Sequence, residues 1–244
     1  MRTKERTITL LTAKLRCTSA GPLVESLEPR QMLTVATTTT VVPSAKSADL
    51  GVAYTLLVTV KAAKGKATPS GTVELLSGGK NSGYGGQLNS KGQFTFSYSA
   101  AAALFIGKYS FAARYVGTAH FAGSRSKAAA FKVTEPTFTA ASGGVETAIV
   151  KPGKGTATVK AGDVISYAGT EYTTSGTFLG QTGRTGNGFG TLNLDASFQQ
   201  SSPGIFDALV GTKVGETIDI EIPASVAGHG DQSYYFIAQI KSIV

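Results

Sequence analysis

The sequence predicts a mainly β protein, a β-sandwich followed by an α+β domain in which an antiparallel sheet wraps on one short helix. Three observations carry this prediction. Short runs of alternating apolar residues, such as YTLLVTVKA and QFTFSYS, recur between turn residues, which is the period-2 signature of half-buried strands. Thirty glycines and only 16% charged residues, with threonine and serine throughout, suit strands joined by tight turns. One stretch, PGIFDALVG at 203–211, has helical spacing, with Ile205, Leu209 and Val210 on a single stripe.

With 244 residues and 41% hydrophobic content, the chain is long enough for two ordinary domains and a tail. The single cysteine, Cys17, lies in the tail, so no disulfide can form within the chain and stability must come from packed cores. No apolar run approaches the ~20 residues of a membrane helix, so no membrane span is expected. The net charge of +8 is uneven. Basic and acidic residues number 6 and 3 in 1–34, 11 and 3 in 35–135, and 6 and 9 in 136–244. The lysines of the basic middle are scattered, without an arginine cluster or a base-stacking motif, and read as a solvated surface. No nucleic-acid partner is expected.

Residues 1–35 form a targeting or disordered segment. Its start is basic, but its apolar part, ITLLTAKL, is interrupted by Lys14, which makes a poor secretory h-region. Leu27-Glu28-Pro29-Arg30-Gln31-Met32-Leu33 resembles the LEPRxLL box near the N-termini of planctomycete secreted and surface proteins. The resemblance implies export, with an extracellular or cell-surface location and contact with the cell envelope.

Six or seven strands are expected over 36–134. Alternation is clear in Tyr54-Leu56-Val58-Val60, Phe94-Phe96-Tyr98 and Tyr109-Phe111-Ala113-Tyr115, so one face of each strand is buried. The order Pro69-Ser70-Gly71-Thr72-Val73, Gly92-Gln93-Phe94, Gly107-Lys108-Tyr109, then Tyr115-Val116-Gly117 and His120-Phe121-Ala122-Gly123-Ser124 resembles the bacterial Ig-like repeats of surface proteins. That resemblance implies an Ig-like β-sandwich acting as a spacer or adhesive stalk. His120 reads as a loop residue, because no second ligand stands at metal spacing, and no metal site is expected.

Thr134-Glu135-Pro136 closes this module, and 135–142 reads as a linker. The second domain, 143–244, carries five or six strands, a glycine-rich loop GRTGNGFG, the helix, and a final strand YYFIAQIKSIV. The loop lacks the strand–helix context of a phosphate loop. Asp195 and Asp207 read as caps or turn residues, and His229-Gly230-Asp231 as a turn. No nucleophilic serine with a supporting motif stands near.

Three stretches then carry a second resemblance. Val159-Lys160-Ala161-Gly162-Asp163-Val164-Ile165-Ser166-Tyr167-Ala168-Gly169-Thr170, Thr177-Phe178, and the long PGIFDALVGTKVGE at 203–216 resemble the FKBP-type peptidyl-prolyl cis-trans isomerases, as does Phe236-Ile237-Ala238-Gln239-Ile240. The resemblance implies an FKBP-like fold and catalysis without a cofactor on proline-containing polypeptides. An X-Pro amide must twist through a barrier of ~18–20 kcal/mol, and a dry aromatic slot favours the twisted amide over the planar, hydrated one.

Carried over by position, the family's catalytic pocket falls on Tyr167, Phe178, Ile205 and Phe236, with Ile205 where a Trp or Phe floor is usual. The substrate-binding positions fall on Leu179, Phe206, Leu192 and Ala227. The sequence departs from the family at Leu179, where an aspartate is usual, at Ser201-Ser202, and at Ala227, where a tyrosine is usual. Plain core packing is the alternative for Tyr167, Phe178 and Phe236. Three functions remain open on sequence alone: an exported isomerase, a binding or chaperone-like module with turnover lost, and a structural surface protein.

Overall fold

The computed structural model describes residues 34–64, 66–183, 188–226 and 232–244. The LEPRQML segment, Cys17, positions 184–187 of the glycine-rich loop, Ala227 and His229-Gly230-Asp231 lie outside the described residues. Leu33–Val244 form one compact unit.

Nine strands make the N-terminal part: β1 (Thr37–Pro43), β2 (Ser47–Asp49), β3 (Tyr54–Ala62), β4 (Thr72–Ser77), β5 (Lys80–Gln87), β6 (Gln93–Tyr98), β7 (Gly107–Tyr115), β8 (Ser124–Arg125) and β9 (Ala129–Thr134). They form a three-stranded sheet, β1-β3-β6, and a second sheet, β2-β9-β7-β4-β5, with β8 on β7. The alternation works as expected on β3, where Tyr54, Leu56, Val58 and Val60 are all buried against Val73, Leu75, Phe111 and Phe131. The YVGTAHFAGS corner needs its glycines. Gly117 sits at φ 88, and a Cβ there would lie 2.8 Å from Gly123 N, a position only glycine fills without strain. His120 is exposed in this corner.

Seven strands make the C-terminal sheet: β10 (Thr139–Ala140), β11 (Glu146–Lys151), β12 (Val164–Thr173), β13 (Phe178–Thr182), β14 (Gly190–Asn193), β15 (Thr217–Ile222) and β16 (Tyr234–Ile243). Their order is β10-β11-β15-β16-β12-β13, with β14 on β12, and every pairing is antiparallel. The segment read as a linker thus supplies β10, which pairs with β11.

The single expected helix is two: α1 (Ala196–Ser201) and α2 (Pro203–Leu209). Asp195 caps α1, its Oδ1 accepting a 2.9 Å bond from Phe198 N. Pro203 disfavours a helical conformation for the residue before it, and Ser202 accordingly turns to φ −143°, ψ 58° between the two helices. The buried stripe also differs from the expected one. Phe206 and Leu209 are buried, Ile205 is half-buried, and Val210 is 37% exposed. The helix stops at Leu209 and Val210 is already extended at ψ 128°, so the helical wheel no longer applies to it.

Both faces of the sheet are covered. On β15, Ile218, Ile220 and Ile222 face the helices, while on β16 Phe236, Ala238 and Ile240 do the same. The alternate residues Tyr235 and Ile237 belong to the core of the sandwich. Thr170 Oγ1 donates to Ala100 O at 2.6 Å, Tyr172 Oη to Ala103 O at 2.8 Å, and Tyr235 Oη to Glu135 Oε1 at 2.6 Å. Phe105 packs between Tyr172 and Tyr235, at ring separations of 5.4 and 6.3 Å. The two parts therefore share one continuous core, which fixes how the cavity-bearing sheet is held.

Candidate functional site

The helix-facing side of the C-terminal sheet holds a cavity of about 190 Å³. Tyr167 from β12 and Phe236 from β16 make one wall and meet edge-to-face, with ring centroids 5.4 Å apart at 65°. Ile205 and Gly204 of α2 form the floor, Leu192 of β14 and Phe198 of α1 close one side, and Val145, Ile222, Val226 and Tyr234 close the other. Glycine at 204 is required here, because a Cβ would come within 2.4 Å of Val145 Cγ1.

The polar groups of the lining are few. They are the Ser202 side chain, the Tyr167 and Tyr234 hydroxyls, and the Glu171 carboxyl. Burial, and then the charge of Glu171, raise the Tyr167 hydroxyl above the usual phenol range and push Tyr234 up to about 12. Both tyrosines therefore keep their protons at neutral pH, and the Tyr167 hydroxyl can donate a hydrogen bond to a carbonyl oxygen. Such a site offers aromatic and aliphatic surface beside hydrogen-bonding groups, and no nucleophile.

Of the residues carried over from the sequence, Tyr167, Leu192, Ile205 and Phe236 come together around this cavity. Phe206 does not line it and is buried in the core beneath the helix with Leu209. Phe178 lies elsewhere and is 53% exposed. It pairs in register with Tyr172, and residues directly opposite in an antiparallel pair share a face. Tyr172 faces the sandwich, so Phe178 does too, with ring centroids 5.7 Å apart. Leu179, 49% exposed, faces the other way, into a second hollow beside the first. Asp207 accepts a 2.6 Å bond from Ser142 Oγ, and among the described residues no group of three or more His, Cys, Asp or Glu is placed to hold a metal ion.

Phe198, Glu171 and Tyr234 were not anticipated as lining residues. Phe198 sits in the first turn after the Asp195 cap, and reading a separate helix from that cap would have placed it on the helical layer. Tyr234 and Glu171 depend on strand register: Glu171 lies opposite Phe236, on the same face of the sheet.

Among solved structures, the chain is similar to a peptidyl-prolyl cis-trans isomerase from Pseudomonas syringae pv. tomato, at 14% identity and a TM-score of 0.37 over 45% of this chain and 83% of that one. It is similar to FkpA from Escherichia coli at 19% identity and a TM-score of 0.39, over 45% of this chain and 53% of that chain, so it spans about half of the E. coli protein's length. It is also similar to the three FKBP domains of wheat FKBP73, at 12% identity and a TM-score of 0.39, over 79% of this chain and 94% of that one. A search of curated proteins returns no match. Among the described residues, no helix is long and apolar enough to cross a membrane. Residues 35–134 match the family model of the bacterial Ig-like domain (group 3), so the sandwich that supports the cavity-bearing sheet is Ig-like.

Proposed function

We propose that the chain is an FKBP-type peptidyl-prolyl cis-trans isomerase acting on X-Pro bonds of exported polypeptides, with the Ig-like sandwich as its rigid support. The observation that carries this is the cavity of about 190 Å³ between the sheet and its two helices, with the Tyr167 and Phe236 rings in its wall. A volume of about 150 Å³ suffices to hold a benzene ring, and a prolyl ring is smaller by one ring atom, so this cavity has room for one. Inside, the amide flanking the ring leaves water. Its planar form loses hydration that its twisted form needs less, so the barrier falls. The Tyr167 hydroxyl would hold the carbonyl as it turns. Export, and a place at the cell envelope, are proposed from the LEPRQML segment.

The second reading, a module that binds prolyl peptides without turning them over, is favoured by one observation. Phe178 and Leu179 lie outside the cavity, so part of the family's pocket is not assembled here.

A protease-coupled assay on an Ala-Leu-Pro-Phe peptide separates the two. For the isomerase, the full chain accelerates cis-to-trans conversion, and Leu192→Trp, which fills the cavity from its side, lowers kcat/KM about tenfold or more, a loss of ~1.4 kcal/mol or more of transition-state stabilisation. Phe178→Ala leaves the rate within about twofold. Binding without acceleration supports the second reading. Neither binding nor acceleration rejects both.

A further inference from the structure

A second hollow of about 240 Å³ adjoins the first, lined by Glu171, Thr173, Leu179, Gln232 and Tyr234. Glu171 and Tyr234 line both hollows, so the two are neighbours across a shared wall. Glu171 stands on β12 opposite Phe236, where facing Cβ atoms lie ~4.5–5.5 Å apart. Its carboxyl is thus beside the aromatic wall of the first cavity and opens onto the second. Consecutive Cα atoms are ~3.8 Å apart, so a residue next to a seated proline can send its side chain over this wall.

The chemistry of the second hollow differs from that of the first. One side is apolar, from the exposed Leu179. The other side carries the Thr173 hydroxyl, the Gln232 amide and the Glu171 carboxyl, the one formal charge among the lining residues of either hollow. A long aliphatic stem ending in a cation matches this pairing, since it lays its methylenes on the leucine and its charge by the carboxylate.

Resting on the prolyl reading of the first cavity, we propose that the second hollow is a subsite for the residue flanking the proline. Glu171 makes it select lysine or arginine over neutral side chains, and reject acidic ones. The preference is electrostatic in a partly exposed site, so it amounts to about two- to fivefold and weakens with salt.

The test is binding, which does not require turnover. Fluorescein-labelled tetrapeptides with Lys, Leu or Glu placed before or after the proline are titrated with the full chain and followed by anisotropy. Lysine on one of the two sides is expected to bind about two- to fivefold tighter than leucine and glutamate weakest, with the spread shrinking between 0.05 and 0.5 M NaCl. Glu171→Gln brings Lys to the level of Leu, whereas Leu192→Trp weakens all peptides alike. The wild-type charge and salt series reads the preference even where a variant fails to fold. If peptides bind with no Lys-over-Leu preference on either side, or if Glu171→Gln leaves that preference intact, the subsite is overturned and the prolyl cavity stands. If no prolyl peptide binds, both fall.

Discussion

Asp219→Asn is expected to stabilise the protein above pH 5 and to flatten the dependence of its stability on pH. Asp219 sits on β15 with its side chain 0% exposed, and its two carboxyl oxygens find no hydrogen-bond partner among the described residues. The sandwich closes over it at Gly51. That residue has φ +77°, and a Cβ there would lie 2.4 Å from Asp219 Oδ1. Burial first, and then the nearby charge of Asp49, hold the Asp219 carboxyl well above the usual carboxylate range.

The sign follows from which state keeps the proton. Below the unfolded value of ~3.9, both states are protonated and the group has no effect. Between that value and the raised native one, the folded chain binds a proton that the unfolded chain has released. Stability therefore falls as pH rises, by about 1.4 kcal/mol per pH unit. Asparagine has nearly the same shape and no titration, so it leaves only the ~1–3 kcal/mol expense of a buried polar group. Urea unfolding of both proteins at pH 4, 6 and 8 checks this. They should converge at pH 4 and separate at pH 8, with the variant more stable. Parallel curves would contradict the burial of an acid at this junction.

Phe236→Ala is expected to destabilise the fold by about 3–5 kcal/mol, as for other buried phenylalanines, while Phe178→Ala changes it by about 0.5 kcal/mol or less. Phe236 is buried among Tyr167, Ile220, Ile222 and Leu209 and makes the edge-to-face pair with Tyr167. Its removal merges the cavity with a new void that the neighbouring strands cannot collapse, because β16 is held on both sides by β15 and β12. Phe178 opens β13 at an edge of the sheet with about half its surface in water. Urea midpoints of the two variants against wild type measure the contrast. Equal losses would mean that Phe178 packs inside after all. The comparison also bears on catalysis, because the two aromatics look equivalent from their motifs and differ only in where the chain places them.

Much of this was legible in the residues. The alternation in YTLLVTVKA and QFTFSYS marked the strands and their apolar faces. The turn glycines marked the Ig-like corner, and the GDVISYAGT, PGIFDALVG and FIAQI stretches supplied Tyr167, Ile205 and Phe236, which meet at the cavity. Other features were not. The break at Ser202 needed the pre-proline restriction weighed against a continuous helical pattern. The direction of Phe178 needed the bulge between Glu171 and Tyr172, and a shift of one residue in a strand exchanges its two faces.

By itself, the sequence determined where most of the strands run and which side of each is apolar, because these depend on local periodicity and turn chemistry. Only the tertiary structure decided that the polar-looking side of β15 is covered by the sandwich, that Asp219 is sealed beneath Gly51, and that Glu171 stands between two cavities. Those outcomes arise from the docking of surfaces far apart in the chain, and a period-2 pattern names the two sides of a strand without naming what will cover each.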